Sequence, residues 1–336
     1  MADPLQPPTP APCPISREED RPFPIRHHWI LLCAVISATV GSHFAFLPAP
    51  SPSSLTHRAV LDIQRSGQPS AKGFFVPSSL IQRHAFLFAL CLIFQIWLAH
   101  AFAFFTHEYA HAVVAWVLGW KRNPFVLHVP APSVILFLSQ WGINQDVDEA
   151  PIFGSGHGID AALIAAAGMI VGNGFISLPI GRLIYRQAIA HARPGLALLG
   201  FWITAASVGN FLSYVPLRTF IQGGDMGSVQ RGFGWSPWIV VVLFGMPTAL
   251  MLVWFVLRIM PETARRLFPS SRARQVVLAT LAGFFVFGFY GYAGFLEGGP
   301  WGATMSTVSL YGLFPISVLA AIGLLRRRTA QRRIRI

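Results

Sequence analysis

Charged residues are scarce in this chain of 336 residues, of which only 11% are Asp, Glu, Lys or Arg. Hydrophobic residues make up 54% of the chain, and the mean hydropathy is +0.54. A soluble domain of this length needs a far more polar surface. The composition therefore excludes an ordinary globular protein and indicates the integral-membrane class.

Lysine is nearly absent, because Lys72 and Lys121 are the only two among 25 basic residues. The arginines cluster between apolar runs and at the C-terminus, and the formal net charge is +12. A nucleic-acid-binding protein has a similar net charge, but basic residues at the ends of membrane spans also set topology and meet anionic lipid. We therefore expect the lipid bilayer, and no nucleic acid, as a partner.

Cysteine is also rare, and Cys13, Cys33 and Cys91 include no C-x-x-C pair. This spacing suggests neither a disulfide framework nor a Cys₄ metal site. Any metal site must therefore be built from histidines and carboxylates.

Proline and the apolar runs divide the chain into five segments. We predict a disordered Pro-rich tail (1–27), a first span at Trp29–Leu47 with a polar loop (28–83), a membrane core (84–235), additional C-terminal transmembrane helices (236–325) and a basic tail (326–336).

Further apolar runs reach the roughly 20 residues that a helix needs to cross a bilayer. They lie at about 84–120, 161–184, 196–217, 238–260, 276–293 and 307–325. The predicted fold class is an all-α polytopic membrane protein with about seven transmembrane helices. Phe125–Val129 and Ser133–Leu138 predict two short strands, which would form a membrane-associated β segment.

The strongest motif is the sequence His-Glu-x-x-His at residues 107–111, in the run that begins near His84. Residues four apart share a helix face, so His107 and His111 can direct ring nitrogens at one ion. Imidazole is a good ligand for Zn²⁺, the cofactor that we expect. Glu108 would be the general base for a zinc-activated water. The structural alternative is a helix whose His and Glu only bond to neighbouring spans.

A catalytic zinc usually has three protein ligands, so one more is needed. The candidates are Asp225, His157, Asp160, His128, Glu149 and His100. Asp225 is preferred because the glycines around it permit a tight turn, which lets a short carboxylate approach a buried ion. His157 and Asp160 stay unassigned, and a flexible loop is favoured over a second metal site. His100 shares roughly the face of His107 and is a candidate supporting residue.

Three motifs in order resemble the site-2 protease family of intramembrane zinc metalloproteases. The resemblance covers roughly residues 86–227, and Met169 departs from it by standing where the family often has Pro. The motifs are His107-Glu108-x-x-His111, Gly168-Met169-Ile170-Val171-Gly172-Asn173, and Asn210 … Pro216 … Gly224-Asp225-Met226-Gly227.

The resemblance implies that His107, His111 and Asp225 bind zinc and that Glu108 activates water. Asn173 and Asn210 are then candidate supporting residues. The implied reaction hydrolyses a peptide bond in or near a transmembrane segment of a membrane-protein substrate. Since a transmembrane helix satisfies its own carbonyls, the substrate must unwind, and the predicted strands offer an edge for pairing.

Two other classes of function remain open. The His/Asp cluster suits a metal-ion transporter or channel, and a catalytically silent relative would only bind membrane proteins. Glu108 discriminates between these classes, because metal transport needs no general base. A prenyl-protein-type zinc protease would need a downstream Glu ligand, but Glu149, Glu262 and Glu297 lie in no convincing helical motif.

The basic residues predict the orientation. Arg186, Arg193, Arg265 and Arg266 fall on the same side as the C-terminal cluster, so the positive-inside rule places the C-terminus in the cytoplasm. The zinc-bearing helix then ends toward the outside, whereas the resemblance implies a site nearer the cytoplasmic face. Arginine-over-lysine usage and the lack of a transit peptide favour a bacterial inner membrane.

Overall fold

A computed structural model describes residues 78–334 of the chain, and it describes side chains for residues 86–326. The predicted disordered tail, the first predicted span and nearly all of the polar loop lie outside the described residues. The part of the chain that the structure describes is built from helices and contains no strand.

Nine helices follow one another in the described residues. They are α1 (Ser78–Val117), α2 (Val134–Ser139), α3 (Glu149–Gly154), α4 (Gly158–Ala190), α5 (Pro194–Arg218), α6 (Gly224–Phe233), α7 (Pro237–Leu267), α8 (Arg272–Glu297) and α9, which begins at Gly299 and ends at Ile334.

Six of these helices, α1, α4, α5, α7, α8 and α9, are long and apolar enough to cross a membrane. They coincide with the six spans that the sequence predicts after the polar loop. An all-α, multi-pass architecture is therefore confirmed. The total of seven spans stays a prediction, because its first member lies outside the described residues.

Helix α5 is the centre of the bundle, since 83% of its most apolar window is buried, against 22% for α1, α7 and α9. Phe201 stacks on Phe255 of α7, and Trp202 meets Phe285 of α8 edge-on. Helices in a bilayer associate through close van der Waals packing, because lipid tails are as apolar as the side chains. The exposed apolar faces of α1, α7 and α9 are thus suited to contact lipid.

The two predicted strands are wrong. Ser133–Leu138 is largely the helix α2, whose N-cap Ser133 accepts a hydrogen bond from the Leu136 backbone N–H. Its apolar run at Val134 and Ile135 suggested a strand, but the cap and a left-handed Gln140 close a short helix. Near Phe125–Val129 the structure forms only an isolated antiparallel bridge, which joins His128 to Asn144.

The connection between α1 and α4 turns back along α1 instead of leaving the bundle. Trp97 donates a hydrogen bond to the Phe137 carbonyl at 2.8 Å, and His100 Nε2 lies 3.2 Å from the Ser139 carbonyl. Trp97 precedes Val117 by 20 residues, which is about 30 Å along the helix at 1.5 Å per residue. Helix α2 therefore packs beside the middle of α1, and the segment between α1 and α4 is called the re-entrant connection below.

His100 joins this connection to the bundle, because its Nδ1 lies 2.8 Å from the hydroxyl of Tyr290 in α8. We predict that Tyr290→Phe lowers the free energy of unfolding by about 1 kcal/mol, since a buried ring nitrogen loses its partner. The measurement is thermal unfolding in detergent. Tyr311→Phe is the matched control because Tyr311 is 63% exposed, and equal losses in the two variants would contradict the prediction.

Candidate metal centre

Two histidines of α1 and an aspartate from a distant part of the chain converge on one point. Oδ2 of Asp225 lies 3.1 Å from His107 Nε2 and 3.3 Å from His111 Nε2, and the two Nε2 atoms are 3.0 Å apart. Ligands about 2.0–2.1 Å from a tetrahedral zinc are separated by roughly 3.3 Å. This is the only group of three or more His, Cys, Asp or Glu with metal-binding spacing among the described residues.

Hydrogen bonds fix the tautomers of both histidines. His111 Nδ1 lies 2.6 Å from the Ile164 carbonyl, which can only accept. His107 Nδ1 lies 2.9 Å from Asn173 Oδ1, and Asn173 Nδ2 donates to the Ala103 carbonyl at 2.9 Å, which sets the amide orientation. Both Nδ1 atoms therefore carry the proton, and both Nε2 atoms offer lone pairs.

Two imidazole lone pairs and a carboxylate oxygen thus face one another at about 3 Å, and they need a cation between them. The donor set fits zinc. A proton added to one of these nitrogen atoms could also supply the positive charge. Burial alone would raise the pKa of Asp225, but the charge of a protonated His111 holds that pKa below its usual range.

Glycines in α4 leave the space that the histidines occupy. A Cβ added to Gly168 would overlap His111 Nε2 and the His107 ring, and one added to Gly172 would overlap the Thr106 carbonyl. The stretch Gly168–Ser177 is a π-helix, a widened form that is frequent at functional sites. Small residues and a widened turn together let α4 press against the histidine face of α1.

Glu108 lies beside the three ligating groups and interacts electrostatically with each of them. It is 6% exposed, and the backbone of Gln145 in the re-entrant connection forms a hydrogen bond with it. The sequence analysis missed Gln145, because no motif marks a residue that acts through its backbone. The arrangement places a carboxyl group beside the candidate metal centre, under the connection between α1 and α4.

Tyr214 is a second residue that the sequence analysis missed. Its ring stacks on His107 with centroids 4.4 Å apart, and the guanidinium carbon of Arg218 lies 5.0 Å from the centroid of the Tyr214 ring. Arg218 also forms an ion pair with Glu297 at 3.0 Å. The signal available in the sequence was the spacing of Tyr214 and Arg218, four residues apart on one helix face.

The remaining candidate residues lie in other contacts. His157 and Asp160 both contact Trp120, through ring packing and a 2.9 Å hydrogen bond respectively. His128 belongs to the bridge with Asn144, and His100 to the contact with Tyr290, so neither joins the three ligating groups.

Glu149, another third-ligand candidate, accepts a hydrogen bond from Ser228 of α6. Burial raises its pKa, and Asp225 also raises it, which shows that Glu149 lies close to the centre.

Asn210 is buried, and its amide nitrogen has no hydrogen-bond partner. Of the two candidate supporting asparagines, Asn173 forms a hydrogen bond with the predicted ligand His107. The Asn210 side chain forms no hydrogen bond with any of the three predicted ligands.

Comparisons of the chain with protein-family models, with curated proteins and with solved structures find no match.

The ligand geometry predicts the zinc content of the purified protein. We expect about one zinc per chain in the wild type and in Glu108→Gln, and loss of zinc in His107→Ala and Asp225→Ala. The measurement is metal analysis of detergent-purified, monodisperse protein. Full zinc in Asp225→Ala would remove Asp225 from the ligand set and point to Glu149, a candidate ligand that interacts electrostatically with Asp225 and His111.

The hydrogen bond from His107 predicts a separate effect on affinity. Asn173→Ala should weaken zinc binding about 10- to 100-fold, because residues that orient a metal-binding histidine typically contribute that much. The measurement is competition with a zinc chelator. Asn210→Ala is the matched control and should bind zinc as the wild type does. Equal weakening in both variants would show a general packing defect and contradict the orienting role.

Proposed function

We propose that the protein is an intramembrane zinc metalloprotease that hydrolyses a peptide bond in or near a transmembrane segment of a membrane-protein substrate. The observation that carries this proposal is the carboxyl group of Glu108 beside a buried His₂Asp ligand set. The resemblance of the motifs to the site-2 protease family supports the same function.

His107, His111 and Asp225 would hold the zinc ion. When bound, zinc supplies Lewis-acid polarisation of the scissile carbonyl and a lowered pKa of water. Asn173 and the Ile164 carbonyl keep the histidines in the tautomer that binds metal. Glu108 would accept the proton of the attacking water and pass it to the leaving amine.

Access to Glu108 depends on the re-entrant connection. The Gln145 backbone bonds to Glu108, Lys121 pairs with Asp146 at 3.5 Å, and Ser228 donates to Glu149. These contacts hold the connection over a carboxyl group that is 6% exposed. Within the proposal, a substrate carbonyl reaches Glu108 only after this cover moves, which gives the enzyme a means of excluding intact helices and bulk water.

The charge distribution supports a cytoplasmic C-terminus. Successive spans cross the membrane in alternating directions. The end of α4, the start of α5, the end of α7, the start of α8 and the end of α9 therefore lie on one side of the membrane. This end carries Arg186, Arg193, Arg258, Arg265, Arg266, Arg272 and Arg326. The opposite end, where α1 ends, carries fewer basic residues among those described, namely Lys121, Arg122, Arg218 and Arg231, together with Asp146, Asp148, Glu149, Asp160, Asp225 and Glu297.

The positive-inside rule then makes the arginine-rich end cytoplasmic, and it makes the end nearer the metal centre non-cytoplasmic. This orientation is part of the proposal, and it differs from the cytoplasmic placement that the family resemblance implies. The arginine-rich, lysine-poor composition favours the inner membrane of a bacterium.

The test uses cells that express wild type, Glu108→Gln or Glu262→Gln at equal levels. We expect new protein N-termini within transmembrane segments in wild type and in Glu262→Gln. Glu108→Gln should reduce them by about a hundredfold or more, because general-base catalysis typically contributes 10²–10⁴. Mass spectrometry of labelled N-termini in isolated membranes measures the effect.

Two results would reject the protease. The first is a set of membrane-protein termini that does not change between wild type and Glu108→Gln. The second is zinc uptake by liposomes containing the purified protein, at the same rate in both variants, which would favour a transporter. A protein that binds zinc, leaves the set of termini unchanged and takes up no zinc belongs to the catalytically silent class.

A further inference from the structure

The arginine-rich end of the bundle contains two adjacent cavities that the metal centre does not use. One, of about 500 Å³, lies between α4 and α7, and the other, of about 750 Å³, lies along α7. They share Arg258, Glu262 and Arg266. Arg182 and Arg186 complete the first cavity, and Arg265 completes the second.

Aromatic rings hold one guanidinium group at the first cavity. Arg182 lies 5.1 Å from the ring centroid of Tyr185 and 5.5 Å from that of Trp254. Arginine on an aromatic face keeps its planar fork oriented and less hydrated, which prepares it to bind a phosphate with two parallel hydrogen bonds. The cavity is therefore a built site rather than a scatter of surface charges.

The acidic groups are too few to balance these arginines. Glu262 is the only carboxylate that lines either cavity, and it pairs with Arg266 at 3.0 Å. Five arginines and one glutamate line the two cavities, so their formal charge is 5 − 1 = +4. The cavities therefore favour an anionic ligand.

The surface next to the cavities is apolar. Leu257 lines the second cavity and is 50% exposed, and Leu183 and Val253 on the same two helices are 58% and 53% exposed. Both helices belong to predicted spans, so these side chains are suited to contact acyl chains. A ligand with a charged head and an apolar tail matches this arrangement better than a soluble anion does.

We propose that the cavities between and along α4 and α7 bind the phosphate headgroup of an anionic phospholipid. The guanidinium groups of Arg182, Arg186 and Arg258 bind the phosphate oxygens, and the acyl chains lie along the exposed leucine and valine side chains. The bound lipid bridges the ends of α4 and α7. This site is separate from the metal centre, and it does not depend on the proposed protease activity.

The test measures lipid binding to full-length, delipidated protein in detergent by native mass spectrometry. The probes are dioctanoyl phosphatidylglycerol, dioctanoyl phosphatidylcholine and inorganic phosphate. We expect tighter binding of phosphatidylglycerol, which is anionic, than of phosphatidylcholine, which is zwitterionic. Phosphatidylglycerol is called the glycerol lipid below. The double variant Arg186→Gln/Arg258→Gln should weaken binding of the glycerol lipid about tenfold or more. The reason is that each arginine near an anionic lipid headgroup strengthens binding about fivefold.

The matched control is Arg193→Gln/Arg272→Gln, which removes two exposed positive charges from the same end, outside both cavities. It should bind the glycerol lipid as the wild type does. If the double cavity variant does not fold, Arg186→Gln and Arg258→Gln are tested singly, and each should weaken binding about threefold or more. Zinc content and melting temperature report folding independently of lipid.

Two outcomes would overturn the proposal. Equal affinity for the glycerol lipid in the cavity and control variants would show that these arginines only set topology. Displacement of the lipid by inorganic phosphate at an equal concentration would show a site for soluble phosphate instead.

Discussion

The metal centre depends on two hydrogen bonds that bury the protons of His107 and His111 on the side away from Asp225. The carbonyl of Ile164 and the amide oxygen of Asn173 accept these bonds, and both acceptors belong to α4. Without them, either ring could turn its N–H toward its neighbour and satisfy itself locally. With them, three electron pairs are forced together, and the packing of α4 on α1 becomes inseparable from the ability to hold a cation.

Much of this arrangement could be predicted from the sequence, because its physical causes are local. Apolar runs of sufficient length specify the six described spans, since a bilayer leaves a backbone few alternatives to a helix. The i, i+4 spacing of His107 and His111 specifies two ligands on one face. The glycines around Asp225 predict that its carboxylate can approach a buried site, and the structure brings it to His107, 118 residues away in the chain.

The rest could not be predicted, because it depends on contacts between distant segments. Val134 and Ile135 are β-branched residues in a short apolar run, and only their position against Trp97 and His100 shows why a helix can form there. Gln145 acts through a backbone group that any residue carries. Tyr214 has no motif of its own, and its role is visible only once its ring is seen against His107.

The separation of the ligands along the chain has a consequence for biosynthesis. The ribosome delivers α1 and its two histidines long before it delivers Asp225, and α4 and α5 must insert between these events. The early chain therefore holds an incomplete pair of imidazoles, whose N–H acceptors arrive with α4 and whose third partner arrives after α5. If the centre binds zinc as proposed, metal capture is a late step of maturation, and it joins α1 to a turn that follows two further membrane crossings.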